Sequence, residues 1–404
     1  MIFTGLIIKH LYRIILLYKT KITAQQNFGV LFIVIFAKIF SMLSILDSEF
    51  SALNTFIQEK KPSQIFILVD ENTHQHCLPT LLGNLDTDVH FEIIEIESGE
   101  DAKNISTVVQ LWEILSDFEA DRKSLLLNLG GGVITDLGGF VASTYKRGIS
   151  FINIPTTLLA MCDASIGGKT GIDHQYLKNI VGTFAEAEHI LVYPEFLKTL
   201  DFVELRSGFA EMLKHGLIAD VSHWNDLITI EELTPENIAP HIENSMMIKE
   251  NVVVKDYKEK SLRKILNFGH TIGHAVESLC LKTHHVIPHG EAVALGMIIE
   301  TKISELENLI SPEKAQHIIE NIQKYYPYIS ISAFSNEEII SLMLNDKKND
   351  HGKINFSILE AISSSSSFFV VSKLKISIFD DNFFSTSNFS KSLAIMALLF
   401  FITI

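Results

Sequence analysis

From about residue 62 onward the chain settles into short apolar runs separated by amphipathic stretches. The run in "SQIFILVDENT" predicts a buried strand ending at Asp70. "HFEIIEIESGEDAKN" predicts a second strand that runs into a helix start, with Ser98 and Glu100 near its cap. "STVVQLWEILSDF" has helical spacing, "KSLLLNLGGGVITDLGGFVAST" gives strand, glycine turn and helix in succession, and "ISFINIPTTLLA" adds a strand ending at Pro155. Strands alternating with helices imply a mostly parallel, helix-covered sheet. After about residue 195 strands nearly vanish and helical segments such as "RSGFAEMLKHGLI", "NSMMIKENVVVKD" and "GEAVALGMIIETKISEL" dominate. An α/β half therefore precedes a helical half, with a cleft expected between them.

The two ends do not share this pattern. Residues 27 to 46, "NFGVLFIVIFAKIFSMLSIL", form an apolar run broken by the single charge of Lys38, and about 20 such residues can cross a bilayer. A basic flank, "KHLYRIILLYKTK", precedes it, as in a signal anchor. The alternative is sequence outside the working protein. The final "LAIMALLFFITI" is short for a span, and "SSSSS" at 363 to 367 marks a loop before it. The expected organisation is an apolar segment over 1–46, an α/β domain over 47–194, a helical domain over 195–375 and an atypical tail over 376–404.

Length and charge narrow the function. A chain of 404 residues with 47% apolar and 20% charged residues supports two globular domains. A net charge of -15 repels nucleic acid and anionic lipid, so no nucleic-acid partner is expected. The three cysteines, Cys77, Cys162 and Cys280, form neither a CxxC pair nor a disulfide framework, which fits a reducing cytoplasm.

Three clusters carry candidate chemistry. Gly130, Gly131 and Gly132 lie between a strand and a helix, where backbone amides and the helix N-terminus can cradle a phosphate, although the run is not GxGxxG. Asp70 at a strand end could take ribose hydroxyls, and Thr156 and Thr157 could hydrogen-bond the same cofactor. "DASIGGKTGIDHQYLKN" places Asp163, Lys169, Lys178 and Asn179 in glycine-rich chain expected to loop. Lys214, Lys249, Arg263 with Asn267, and Lys347 with Lys348 continue the cationic theme, and cations round one cleft imply a substrate with more than one negative group, such as a phosphate plus a carboxylate. Finally, His270 and His274 share a helix face at i, i+4, His289 opens another helix, and Glu211 lies in the same half. A catalytic zinc takes three protein ligands, and spacing does not choose among these four.

In that order, "LGGGVITDLGGFVAST", "IPTTLLAMCDASIGGKTGID", "SGFAEMLKHGL" and "NFGHTIGHAVE" closely resemble 3-dehydroquinate synthase, of the sugar phosphate cyclase superfamily, over roughly residues 62 to 360. The resemblance implies a Rossmann-like NAD-binding α/β domain, then an all-α metal-binding domain, with the active site in the cleft. It implies the shikimate-pathway conversion of 3-deoxy-arabino-heptulosonate 7-phosphate to 3-dehydroquinate and phosphate, with NAD and one zinc or cobalt ion. It implies Glu211, His270 and His289 as metal ligands, leaving His274 for proton transfer and phosphate contact. Asp70, Glu100, Lys103, Gly131, Gly132, Asp136, Thr156, Thr157, Phe196 and Thr199 fall on NAD-contacting positions, with Gly130, Val133, Lys169 and Lys178 beside them. Asp163, Lys169, Asn179, Lys214, Lys249, Arg263, Asn267, His274 and one or both of Lys347 and Lys348 fall on substrate positions. Arg147 matches an arginine that reaches the neighbouring subunit's phosphate site, which implies a homodimer.

The implied chemistry is transient oxidation by NAD, phosphate elimination, return of the hydride, and an intramolecular aldol closure in an enclosed site. The apolar stretch ending near Leu46 stands where the family has an N-terminal strand, so a chain beginning near Asp47 is expected to be as active as the full one. Rival readings are another sugar phosphate cyclase, a metal- and NAD-dependent polyol dehydrogenase, and a membrane-tethered sugar-phosphate sensor without turnover. Lys249, Arg263 and Lys347 or Lys348 favour a carboxylated substrate.

Overall fold

The computed structural model describes residues 42–175, 177–283, 286–326, 331, 334–344, 353–361 and 369–377. They divide into two compact units, one holding the chain to Thr156 and Gly168–Tyr193, the other holding Thr157–Gly167 and the chain from Pro194 onward.

The first unit contains strands β1 (Leu43–Ile45), β2 (Ile65–Asp70), β3 (Phe91–Ile96), β4 (Leu125–Gly130), β5 (Ser150–Pro155), β6 (Lys169–His174), β7 (Leu177–Phe184) and β8 (His189–Val192). Its helices are α1 (Ser51–Lys60), α2 (Glu71–His76), α3 (Leu78–Asn84), α4 (Ile105–Asp117) and α5 (Gly132–Thr144). Six strands form one sheet in the order β1-β8-β5-β4-β2-β3, every neighbouring pair parallel. The apolar runs explain its centre: every residue of β4 is buried, as is β2 up to Asp70, because helices cover both faces of a parallel sheet. Helix α5 packs on β4 through Gly138, where a Cβ would stand 2.0 Å from Asn128 Oδ1.

Three expectations need correction here. The segment before residue 47 is not wholly outside the domain: β1 pairs with β8 at the sheet edge, and the Leu46 amide donates to the Val192 carbonyl at 2.7 Å. A chain beginning at Asp47 would lack that strand. The glycine-rich stretch carrying Lys169, Lys178 and Asn179 is not a loop but the antiparallel hairpin β6–β7. Its glycines let backbones meet, since a Cβ on Gly182 would lie 2.2 Å from the Thr170 carbonyl oxygen. Helix α4 is capped by Asn104, which accepts from the Ser106 and Thr107 amides at 2.8 and 3.1 Å, while Ser98 donates to Glu71 and Glu100 starts a short 3-10 turn.

The second unit contains α6 (Phe202–Ala219), α7 (Val221–Ile228), α8 (Pro235–Lys255), α9 (His270–Lys282), α10 (His289–Leu306), α11 (Pro312–Gln323) and α12 (Asn336–Leu344). One antiparallel hairpin, β9 (Lys353–Ala361) with β10 (Phe369–Ser377), interrupts the helical pattern. Alternate residues Ile354, Phe356 and Ile358 of β9 join Val276, Ile299 and Met343 in one core cluster, and Ser357 and Leu359 on the opposite face of the strand are buried as well. Strand β10 thus stands in a stretch expected to be helical and reaches only two residues into the expected tail. Lys347, Lys348, the serine run at 363 to 367, most of the N-terminal apolar run and all of the C-terminal one lie outside the described residues. Among the described residues no helix is long and apolar enough to cross a membrane.

Candidate functional site

In the first unit the glycine turn sits between the buried end of β4 and the start of α5, with Gly131 as N-cap and Gly132 and Val133 opening the helix. The Thr156 amide donates to the Gly130 carbonyl at 3.1 Å, tying the end of β5 to the turn. Nearby on α5, Asp136 accepts from the buried Lys103 ammonium at 2.7 Å, and Glu100 lies 3.8 Å from the same nitrogen. Burial alone would lower the Lys103 pKa, but Asp136 and Glu100 overcome it and raise the value. Asp70 ends β2 as expected, and its carboxylate caps α2 by accepting from the Thr73 amide and hydroxyl at 2.8 and 2.9 Å. Lys169, Lys178 and Asn179 are exposed on the hairpin, and the Asn179 amide donates to Asp173 at 2.6 Å. Arg147 is exposed just after α5, with a left-handed φ of 67°.

In the second unit three helices bring side chains from distant sequence positions together. Gly296 of α10 lies against Gly269 before α9, where a Cβ would stand 1.8 Å from the Gly269 carbonyl oxygen. Gly290 meets α6 just as closely, 2.2 Å from the Ser207 carbonyl oxygen. These approaches bring Glu211 of α6, His270 of α9 and His289 of α10 to one point, with one ligand atom from each within 4.8 Å of the others. His270 Nε2 lies 3.4 Å and His289 Nε2 3.8 Å from Glu211 Oε1, which is buried and has no hydrogen-bond partner. The far ring nitrogens are held from behind: His270 Nδ1 by the Phe268 carbonyl at 3.2 Å and His289 Nδ1 by Glu277 at 3.3 Å. Two imidazoles and a carboxylate converging on a point, with an otherwise unsatisfied buried oxygen, form the donor set of a divalent transition ion. His274 stands beside them, its ring 5.1 Å from that of His270 and 5.9 Å from that of His289.

A second cluster adjoins Glu211 through Lys214, whose ammonium donates to the Glu211 carboxylate. Asp163 Oδ1 lies 2.8 Å from the Lys249 ammonium, 3.9 Å from that of Lys214 and 3.6 Å from His215 Nε2. Burial pushes the Asp163 carboxyl up, yet Lys249, Lys214 and His215 together hold it well below the usual range. Burial also brings Lys249 down to about 8 against the pull of Asp163. Arg263 is buried and donates to the carbonyls of Gly167 at 3.0 Å and Tyr257 at 2.7 Å, and Asn267 donates to Glu259 at 3.0 Å. Thr157 receives the Ala160 amide at 3.2 Å, while Phe196 is buried and Thr199 donates to its carbonyl at 3.3 Å.

Comparison with known proteins meets this geometry along nearly the whole site. Residues 93–207 match the family described as 3-dehydroquinate synthase N-terminal, and residues 208–349 match 3-dehydroquinate synthase C-terminal. A 3-dehydroquinate synthase of Parabacteroides distasonis is 41% identical over 314 residues, 77% of this chain and 89% of that protein. The chain belongs to the 3-dehydroquinate synthase family. The fold recurs in a 2-epi-5-epi-valiolone synthase from Streptomyces hygroscopicus solved with NAD+ and Zn2+, at 24% identity and a TM-score of 0.72 over 88% of this chain and 96% of that one. It recurs also in a 2-deoxy-scyllo-inosose synthase solved with carbaglucose-6-phosphate, NAD+ and Co2+, at 23% identity and a TM-score of 0.71 over 88% and 95% of the two chains.

Within this 3-dehydroquinate synthase family member, the structure adds residues that spacing did not single out. His215 is fully buried and bonded through Nδ1 to Ser245 at 2.8 Å. Its only sequence signal is adjacency to Lys214. Glu277 follows His274 by three residues on α9, and that spacing could have flagged it. Arg206, bonded to Glu291 beside His289, and Glu300, which accepts the Gly269 amide at 2.7 Å, left no pattern in the sequence, since their partners are remote along the chain.

Proposed function

We propose that the chain converts 3-deoxy-D-arabino-heptulosonate 7-phosphate to 3-dehydroquinate and phosphate. The observation that carries this reading is the convergence of Glu211, His270 and His289 beside the Lys214, Asp163 and Lys249 cluster, in a member of this family. Glu211, His270 and His289 would hold a divalent ion, zinc or cobalt, and the Gly130–Gly132 turn with Lys103 and Asp136 would hold NAD; together these groups supply acidification of the hydroxyl to be oxidised and a reversible hydride acceptor.

The chain's own residues do the rest. Lys249 and Arg263 place fixed positive charge for the substrate carboxylate, with Lys347 or Lys348 assigned alongside them. Asp163, kept ionised by its lysines, would orient both ammonium groups. His274, adjacent to the metal-type histidines, is assigned the proton at the leaving phosphate, and Lys169 and Asn179 its remaining oxygens. We also infer a homodimer in which Arg147 of the partner subunit completes the phosphate contacts. The exposed Arg147 and the exposed apolar residues Leu177, Val181 and Phe184 on β7 support it. The three buried thiols fit a reducing cytoplasm.

The test is phosphate release from this substrate by purified protein with NAD and zinc, with absorbance followed at the NADH wavelength. Phosphate release that stops on chelation, without accumulating NADH, is expected. Steady NADH accumulation would instead establish a polyol dehydrogenase, and no release from folded, metal-loaded protein would overturn the substrate assignment.

A further inference from the structure

Glu277 has no role in the scheme above, yet its carboxylate stands behind His289. It lies on α9 seven residues after His270 and three after His274, so all three share one helix face. Its Oε2 is 3.3 Å from His289 Nδ1, and both side chains are mostly shielded, 16% and 27% exposed. A carboxylate only accepts, so Nδ1 must carry the proton; in the neutral ring Nε2 is then a bare lone pair. That lone pair lies 3.8 Å from Glu211 Oε1, another acceptor, which is buried and has no hydrogen-bond partner. Two acceptors held face to face repel unless a proton or a metal cation lies between them. His270 repeats the arrangement with a weaker support, its Nδ1 bonded to the neutral Phe268 carbonyl. The two histidines thus differ in what stands behind them: one has a dipole, the other a full charge.

We propose that Glu277 is a positioning residue for the metal centre, fixing His289 as the Nδ1–H tautomer with Nε2 turned to the ion and strengthening it as a donor. This rests on the reading of Glu211, His270 and His289 as metal ligands. A different use of the same atoms has to be weighed, because His274, Glu277 and His289 also bring one ligand atom each within 4.8 Å of the others. A second ion there, using His289 Nδ1, would require both nitrogens of one ring to be bare at once whenever the first ion is bound. The neutral ring has a proton to place, and Glu277 is placed to take its hydrogen bond.

The experiment strips metal from the full-length protein and titrates Co2+ against a chelator, reading the visible absorption of the bound ion and its stoichiometry. Wild type, Glu277→Gln and Glu277→Ala are compared, with thermal midpoints of the metal-free proteins recorded in parallel. Glu277→Ala is expected to weaken Co2+ binding about 10- to 100-fold, the usual cost of removing an outer-shell partner, and to change the Co2+ spectrum. Glu277→Gln keeps an acceptor oxygen without the charge and is expected to fall between. A merely structural glutamate would lower the metal-free midpoint and leave the affinity unchanged. Wild-type affinity in Glu277→Ala overturns the proposal; if that variant does not fold, wild-type affinity in Glu277→Gln does so. Two ions per wild-type chain, falling to one in the variants, overturns it in favour of a second site. No Co2+ binding by wild type removes the metal reading itself, a different failure from the first.

Discussion

The two units build their candidate sites from different materials. In the first, the turn from β4 to α5 offers backbone: amides of Gly131 and Gly132 at a helix start, with Lys103 and Asp136 locked to each other nearby. In the second, the backbone serves only to bring helices close, and the chemistry is entirely side chain, drawn from α6, α8, α9 and α10 and from the turn holding Asp163. A backbone site tolerates changes of side chain provided no Cβ intrudes. A side-chain site fails when one group is removed, because its neighbours were buried on the assumption of a partner.

The largest expected effect breaks the side-chain site. Glu211→Gln keeps the shape but removes the charge, and is expected to abolish tight metal binding and to cut phosphate release by about 10³-fold, several kcal/mol of metal-dependent stabilisation. Metal content by mass spectrometry and turnover together check it, and a metal-loaded variant with wild-type turnover would contradict the contrast between the units.

The next effect concerns the stability of the helical unit. His223 on α7 is 1% exposed, and neither ring nitrogen has a hydrogen-bond partner. Burial, then the neighbouring His215 and His241, against the pull of Asp220, lower its pKa to about 4 from the 6.5 usual for histidine. The unfolded chain therefore binds a proton that the folded one does not between those values, so stability is lost as pH falls from about 6.5 towards 4 and levels off below. The loss is at most about 3 kcal/mol. Urea titrations at pH 7.5 and 4.5 should show a smaller pH difference in His223→Leu than in wild type; an equal difference would assign the slope to other groups.

The smallest expected effect sharpens the backbone side of the comparison. Gly138→Ala puts a Cβ 2.0 Å from Asn128 Oδ1 and must shift α5 on the sheet. A destabilisation of about 2 kcal/mol with weaker NAD binding is expected, while Co2+ affinity stays at the wild-type value. Calorimetric titration with each ligand separates the two.

The same contrast explains what could be read from the chain beforehand. The parallel sheet was legible because fully buried strands such as β2 and β4 are uninterrupted apolar runs, and the strand-to-helix turn between β4 and α5 was legible because glycines mark it directly. The hairpin β6–β7 was not: the glycines of "DASIGGKTGIDHQYLKN" signalled a loop, whereas Gly171 serves close contact between strands, where a Cβ would lie 2.9 Å from the Val181 carbonyl oxygen. The hairpin β9–β10 was hidden by a serine run and by the expectation of helices, although Ile354, Phe356 and Ile358 alternate as a strand should. Within the helical unit, His270 and His274 announced themselves by spacing. Glu277 and His215 stood out less, because what defines each is a partner supplied from elsewhere in the chain, His289 Nδ1 for the one and the Ser245 hydroxyl for the other.

Strand β1 carries a consequence for the order of events at the ribosome. It pairs Leu43 with Ile190, and Phe50, fully buried, packs edge-on against Tyr193 at 5.0 Å. None of these partners exists until the chain has been made as far as residue 193, on the order of ten seconds after residue 43 emerges at ordinary rates of synthesis. For that interval an apolar edge and an unplaced phenyl ring remain in water. The last residues of the apolar run are thus a late closure of the sheet edge.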